Sequence, residues 1–483
     1  ETDLPQRPNT FSETTPEQDV LAHARRPVPR GPEGGQAAGR IDVDPLDGDD
    51  SADGRARPVR TIHRAIGLAR PGDTIHLAPG RYFETADLSC KHGAEGRPIT
   101  LDGHGAVLDG SEPIAADEWE SLGDGLYRRV ALLPRFDEAM RARWFFLWDG
   151  RMNRMGRCSK GPSLPLKKPE DLEADEWTYV PEEDAFYIRM PAGKRLAAGN
   201  IRYPARGSGV VQSVDGSWHV VRNLTTTHVY NDGFNVHGVQ RHLVYENIAA
   251  IECGDDGFSA HEDAECDIRN FVSIGNATGL CDTVSSVTRY RDVFIGGCVG
   301  YDIFFIGDSP HAMENVLVES TAVRPLEVAR HGDREQRGLS TATLRNVRIT
   351  RTAGTRGDIR VGRDARLTLD ACTLDGPFHF VVTPGGAVTA RGSAFLGKAD
   401  LLLYASTIWQ GDANHYDLAS LRIGQTSFTP RTFADFQKAV GDEARSTWSD
   451  TAAPADVGAG DLGHLSRAAE TVLRGWRQRT SQP

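Results

Sequence analysis

The sequence predicts an all-β chain wound as a parallel β-helix of about ten coils, with a capping helix, an inserted β-subdomain and a helical tail. Three observations carry that prediction. An Asn or Asp precedes an apolar residue at Asn223, Asn247, Asn270, Asp292, Asn315, Asn346 and Asp370, at intervals of 24, 23, 22, 23, 31 and 24 residues. The segments around these positions are short and β-rich: Val220-Val221-Arg222-Asn223-Leu224, Arg269-Asn270-Phe271-Val272, Asn315-Val316-Leu317-Val318, Asn346-Val347-Arg348-Ile349. Gly 51 and Pro 26 supply the many tight turns that such a winding needs. The repeated amide is expected to point inward at a turn, bonding the coils above and below.

Residues 1–40 form a polar, Pro-rich arm, read as the start of a mature chain whose signal peptide has been removed; this gives a secreted or periplasmic expectation. Residues 41–111 hold a helix and the first coils. Ile62, Ala65, Ile66 and Ala69 recur at helical spacing, and a helix there would cover the open edge of the first coil. Ile99-Thr100-Leu101-Asp102-Gly103 and Val107-Leu108-Asp109-Gly110 read as strands ending in Asp-Gly turns.

Residues 112–206 lose the period and contain Trp119, Trp144, Trp148 and Trp177, as expected of an inserted β-subdomain with its own aromatic core. The coils resume over 207–410. The 31-residue interval contains the charged stretch 330–337, which should protrude as a loop. In the tail, 411–483, helical patterns run over 432–440 and 461–476. The second places Leu462, Leu465, Ala469, Val472, Leu473 and Trp476 on one stripe, expected to cap the last coils.

The formal net charge is −12, with no clustered basic runs, which argues against nucleic acid and anionic membranes as partners. No apolar run is long enough to span a bilayer. The seven cysteines show no metal-type spacing and are expected inside the coils. Oligomeric state is not legible.

Chemistry concentrates in two coils. Aligned on the repeat, Asn231-Asp232-Gly233-Phe234-Asn235-Val236-His237 falls on Asp255-Asp256-Gly257-Phe258-Ser259-Ala260-His261 with a constant offset of 24. Neighbouring strands lie about 4.8 Å apart, so Asp232 should sit near Asp256 and His237 near His261, with Asp255, Glu262 and Asp263 close by. The flanking coils carry Ser208 and Thr278 at the Asp position, and Ser213 and Thr283 at the His position. Asp-Gly is an ordinary turn dipeptide, but turn preference does not explain a His five residues after each Asp. Carboxylates crowded together raise one another's pKa, an arrangement that clusters at functional sites.

The opening coils, through Gly72-Asp73-Thr74-Ile75 and Pro79-Gly80-Arg81-Tyr82, resemble right-handed parallel β-helix proteins that act on carbohydrates. Asn231-Asp232-Gly233-Phe234, followed one coil later by Gly254-Asp255-Asp256, resembles the aspartate motifs of polygalacturonase-type inverting glycoside hydrolases. That resemblance implies Asp255 as general acid, with Asp232 and Asp256 activating water. The family's Gly-His-Gly falls here near Ala277-Thr278-Gly279, and its Arg-x-Lys is absent. Gly257-Phe258-Ser259-Ala260-His261-Glu262 resembles a segment of mannuronan C5-epimerases, with His261 matching that family's His and Ser259 in place of its catalytic Asp; a lyase reading would take His261, Tyr301 or Arg289 as base. A related lyase would hold Ca²⁺ through Asp255, Asp256 and Asp263, although hydrolysis requires no cofactor.

The expected partner is a polysaccharide or oligosaccharide, with Tyr230, Glu262, Asp263, Arg289, Tyr301, Arg330 and His331 as candidate substrate contacts. A glycoside hydrolase leads; a uronate lyase or epimerase and a non-catalytic glycan-binding solenoid are the alternatives.

Overall fold

The computed structural model describes residues 39–161, 163–196, 200–331 and 338–480. Residues 1–38 of the expected arm, and 332–337 of the expected loop, lie outside them. The chain is an all-β parallel solenoid. On one face, eleven successive parallel pairings lead from Arg40–Val43 through Thr74–Leu77 and Asp215–Thr227 to Ile408–Asp412, more coils than the ten expected.

The Asn and Asp repeat has a backbone cause. Asn223, Asn247, Asn270, Asp292, Asn315 and Asn346 have φ between 51° and 57°, the left-handed region that Asn and Asp tolerate better than other L residues. Each kinks a long strand from one face to the next. At the last rung the left-handed residue is Ala371 (φ 51°), one position beyond Asp370.

The repeated amides do not point inward as expected. Asn247 and Asn270 are exposed. The side chains bond along the outside, Asn223 to Asp102 at 2.9 Å, Asn247 to Asn223 at 3.1 Å, Asn270 to Asn247 at 2.8 Å, and Asn346 to Asn315 at 2.8 Å. Inward amides belong to residues off the repeat. Asn276 accepts from the Cys253 backbone N–H and donates to the Ala250 carbonyl, and Asn414 serves Ser393 and Ala390 in the same way. These satisfy turn groups that burial would leave unpaired.

Helix Ile62–Leu68 lies at the start of the solenoid with Ile62, Ala65 and Ile66 buried, and the Thr61 side chain accepts from the Arg64 N–H at its N-terminus. Between Ser111 and Pro204 two four-stranded antiparallel sheets form the inserted unit. Its core contains Trp119, Trp144, Trp148 and Trp177, all buried, so these rings are core and not sugar platforms. Coil strands continue past residue 410, through His415–Ile423 to Thr447–Trp448. Helix Phe433–Val440 buries Phe433 and Phe436 in the solenoid core there.

Helix Gly463–Thr480 keeps the predicted stripe but not the predicted place. Leu465, Ala469 and Trp476 pack on Val107, Ala249, Val272 and Phe294, so the helix runs along the side of the middle coils instead of capping the end. Between it and the Asn row lies a groove of about 850 Å³ lined by His104, Asn247, Asn270 and Arg479, on a different face from the Asp cluster. No described helix is long and apolar enough to cross a membrane. The seven cysteines are free, and all but Cys90 are buried.

Candidate functional site

The offset of 24 is the observed register. Phe234, Asn235 and Val236 lie beside Phe258, Ser259 and Ala260. The two phenylalanine rings stack inside the core at 6.1 Å. Glycine is required at the turn before them: a Cβ on Gly233 would lie 2.6 Å from the Thr226 hydroxyl and 2.8 Å from the Gly257 carbonyl oxygen. With that turn fixed, Asp232 and Asp256 project on adjacent coils, and the Asp256 backbone N–H donates to Asp232 at 3.1 Å.

Three carboxylates meet here, and all are buried, at 3%, 1% and 2% exposure for Asp232, Asp255 and Asp256. Ligand-capable atoms of Asp232, Asp256 and His261 lie within 4.8 Å of one another. His237 and His261 stack with ring centres 4.1 Å apart, and Glu262 accepts from His237 at 2.9 Å. His261 also contacts the Ser259 hydroxyl. The imidazole of His237 and the carboxylate of Glu262 are 39% and 40% exposed, so this edge is where the cluster meets solvent.

The cations come from the inserted unit, which sequence reasoning treated only as a neighbour of the first coils. Lys160 places its ammonium 2.8 Å from Asp255 and 2.6 Å from Asp256. Arg143 reaches Asp255 at 2.8 Å and donates to the Asn231 amide oxygen at 2.6 Å. The Ser159 hydroxyl donates to Asp255. Arg154 anchors the same segment by donating to the carbonyls of Cys253, Gly254 and Gly275. The one available signal was the absence of Arg-x-Lys from the coils: a carboxylate cluster this dense needs counter-charge from somewhere.

These contacts separate the three carboxyls. Burial disfavours ionisation of Asp255, but Lys160 and Arg143 outweigh it and hold that group down at about 2. Burial and the Asp255 charge push Asp256 up to about 6, against the pull of Lys160. Burial and the charges of Asp256 and Asp255 push Asp232 well above the usual carboxylate range. Asp232 and Asp256 therefore titrate as one unit that keeps a proton near neutral pH. Of the two, only Asp256 touches a cation, Lys160 at 2.6 Å, which favours its ionised form over that of Asp232. Asp255, expected as the proton donor, is ionised and has no proton to give.

The other expected contacts divide. Tyr301 lies on the same face, two coils beyond Asp256 in register through Thr278. It stacks on Phe304 at 4.3 Å and accepts from Arg324 at 2.9 Å. Tyr230 is half-buried and packs on the inserted unit's core beside Trp144, so it is no open platform. Asp263 starts the next strand and pairs with Arg241, because its register partner is exposed Val239 and not the Asp turn. The expected Asp255–Asp256–Asp263 calcium set is thus not assembled; Lys160 stands between the first two. Arg289 is on the Asn-row face, buried and paired with Glu265 and Asp267. Arg330 leaves the end of strand Arg324–Ala329 and pairs with Asp364 at 3.2 Å; His331 follows it at the margin of the described residues.

A family model described as a protein of unknown function, DUF1565, matches residues 46–89, the helix and first coils. No curated protein matches the chain. Among solved structures, a complex of XylC with xylose superposes at TM-score 0.56 with 11% identity, covering 86% of this chain and 87% of that one. A structure described as a glycoside hydrolase gives TM-score 0.44, 13% identity and coverage of 88% and 99%. Pectate lyase Pel9A gives 0.37, 14% identity and coverage of 77% and 79%. The XylC likeness is one of fold.

Proposed function

We propose that this chain is a carbohydrate-active enzyme, a glycoside hydrolase in which Asp256 is the carboxylate nucleophile and Asp232 the proton donor. The observation that carries this reading is the buried Asp232–Asp256 pair on adjacent coils, with a cation on Asp256 alone. One oxygen of each lies within 4.8 Å of the other, inside the roughly 6.5–9.5 Å that an inverting acid–base pair keeps between its carboxyls, which favours a retaining pair. This replaces the inverting scheme implied by the polygalacturonase resemblance.

In the first step Asp256 bonds to the anomeric carbon while Asp232 gives its proton to the departing glycosidic oxygen. In the second, water attacks the glycosyl–enzyme ester, Asp232 takes its proton, and Asp256 is released. Asp255 does not react. It holds Lys160 and Arg143 beside the pair, and Lys160 favours the ionised form of the nucleophile. A sugar would enter from the His237–Glu262 edge, since Ser159 and Lys160 roof the other side. The sugar bound in the XylC structure is consistent with a glycan ligand on this architecture.

The test is the product anomer, followed by NMR on a glycan panel. Retained configuration, with azide restoring turnover to Asp256→Ala, is expected. An inverted product would remove Asp256 as nucleophile. A second reading rests on His261, whose contact with the pair suits it to abstract a proton beside a uronate carboxylate; an unsaturated, ultraviolet-absorbing product would establish that one instead. Folded protein with no turnover on any glycan would leave a binding solenoid.

A further inference from the structure

We propose that the chain binds a divalent late transition ion, of the zinc and copper class, between His76 and His104 at the head of the groove beside helix Gly463–Thr480. The site lies away from the Asp cluster and does not rest on the hydrolase reading.

The corners from Asn223 to Asn346 on this face are each built on one left-handed Asn or Asp. The coil before Asn223 departs from that rule. Arg222 pairs with Asp102 and Leu224 with Ala106, so Gly103-His104-Gly105 stands opposite Asn223 alone. Two added residues make a bulge, a device that re-aims a side chain. The flanking glycines permit it: a Cβ on Gly103 would lie 2.5 Å from the Asn223 carbonyl oxygen, and Gly105 has φ 84°. His104 is itself left-handed, at φ 48°. The bulge carries its ring toward the preceding coil, where Nε2 of His104 meets Nδ1 of His76 at 2.8 Å.

A structural corner needs neither imidazole, as the later coils demonstrate. Two nitrogens bound to one ion through bonds of about 2.0–2.1 Å lie roughly 3 Å apart, close to the observed spacing. Asp102 completes a set whose ligand-capable atoms all lie within 4.8 Å of one another. Its carboxylate is buried and accepts from Asn223 at 2.9 Å and Arg222 at 2.8 Å, outer contacts of the kind that orient a metal ligand. His104 is half-exposed, so its ring has room to turn toward an ion that replaces the proton between the two nitrogens. Water fills the remaining positions.

The charge around the pair selects the ion. Arg222 offsets Asp102, Arg40 offsets Asp42 in register beside His76, and Arg479 approaches the bulge at Gly105. Ca²⁺ and Mg²⁺ need several oxygen ligands and find one carboxylate already shared with an arginine. Imidazole nitrogen suits Zn²⁺, Cu²⁺ and Ni²⁺, which form stronger bonds to it.

The experiment titrates full-length, tag-free protein, stripped with EDTA, with Zn²⁺ by calorimetry and with Cu²⁺ by electron paramagnetic resonance. One equivalent of Zn²⁺ should bind, and the Cu²⁺ spectrum should carry nitrogen coupling from two imidazoles. His104→Asn removes the ligand but keeps a residue that tolerates the left-handed corner. It should weaken Zn²⁺ binding by at least about tenfold, and His76→Gln likewise. His237→Ala, on the other face, should bind as wild type does. Failure of the wild-type protein to bind Zn²⁺ would overturn the proposal, as would binding kept in His104→Asn and lost in His237→Ala. Imidazole nitrogen NMR of the wild-type protein gives a reading that needs no variant. Zn²⁺ should shift the His76 and His104 signals; signals that stay in place would rule the site out.

Discussion

Two buried carboxylate centres in this solenoid behave in opposite ways. Asp109, fully buried, meets Arg81 at 2.7 Å, His228 at 3.1 Å and the Ser111 hydroxyl at 2.6 Å. Burial opposes its charge, but His228 and Arg81 outweigh it and hold the carboxyl far below the usual range. Asp232 and Asp256 are equally buried, yet their strongest neighbours are other carboxylates, and both are pushed up. A matched network stabilises the fold where the first coils meet helix Gly463–Thr480. A frustrated one raises two carboxyls above their usual range, the condition the proposed hydrolysis would use.

The largest effect expected from this contrast is on turnover. Asp256→Asn should lower kcat/KM by about 10³-fold or more while the thermal melt stays at or above that of wild type. A fully active, folded variant would remove the site. Asp109→Asn should do the reverse, costing about 3–5 kcal/mol in urea unfolding because Arg81 and His228 lose their counter-charge. If that variant were as stable as wild type, Asp109 would have no structural claim.

Stability should also follow His228. Burial lowers its pKa, but Asp109 and Glu252 outweigh burial and raise it to about 9. A raised histidine contributes stability that is fully present below its unfolded value near 6.5 and is lost as pH rises through about 9. The loss over that window is on the order of 3 kcal/mol, read from denaturation midpoints, and His228→Gln should flatten the curve.

Lys160→Met should move the Asp256 titration upward by about one pH unit, followed by carbon NMR of labelled aspartates and by the pH profile of kcat/KM. Lys160→Arg should restore it. An unmoved titration would mean that the ammonium does not distinguish the two carboxyls.

The smallest effects separate outer from inner amides. Asn270→Ala should cost about 1 kcal/mol, since Ala must adopt the left-handed region, and Asn270→Gly less. Asn276→Ala should cost about 1–3 kcal/mol for the buried Cys253 and Ala250 groups left unpaired. Equal costs at the two positions would erase the distinction.

Much of this was legible in the residues. The repeat gave the solenoid and the register that brings Asp232 onto Asp256 and His237 onto His261, because a parallel coil has almost no freedom to slip when one face is core. The repeat also marked the left-handed corner, but not whether its side chain points in or out; a positive φ is required either way. The stripe on helix Gly463–Thr480 showed that one face is buried. It did not show against what, because Val107, Ala249, Val272 and Phe294 come from separate coils.

Composition and spacing by themselves determined the winding, the coil-to-coil register and the crowding of acids on two adjacent turns, since these follow from local backbone preference and a fixed period. Tertiary structure alone decided which of those acids is set beside a cation. Lys160 and Arg143 lie some 95 and 112 positions from Asp255 along the chain. A charge's effect depends on distance and burial in space, and a repeat pattern carries neither.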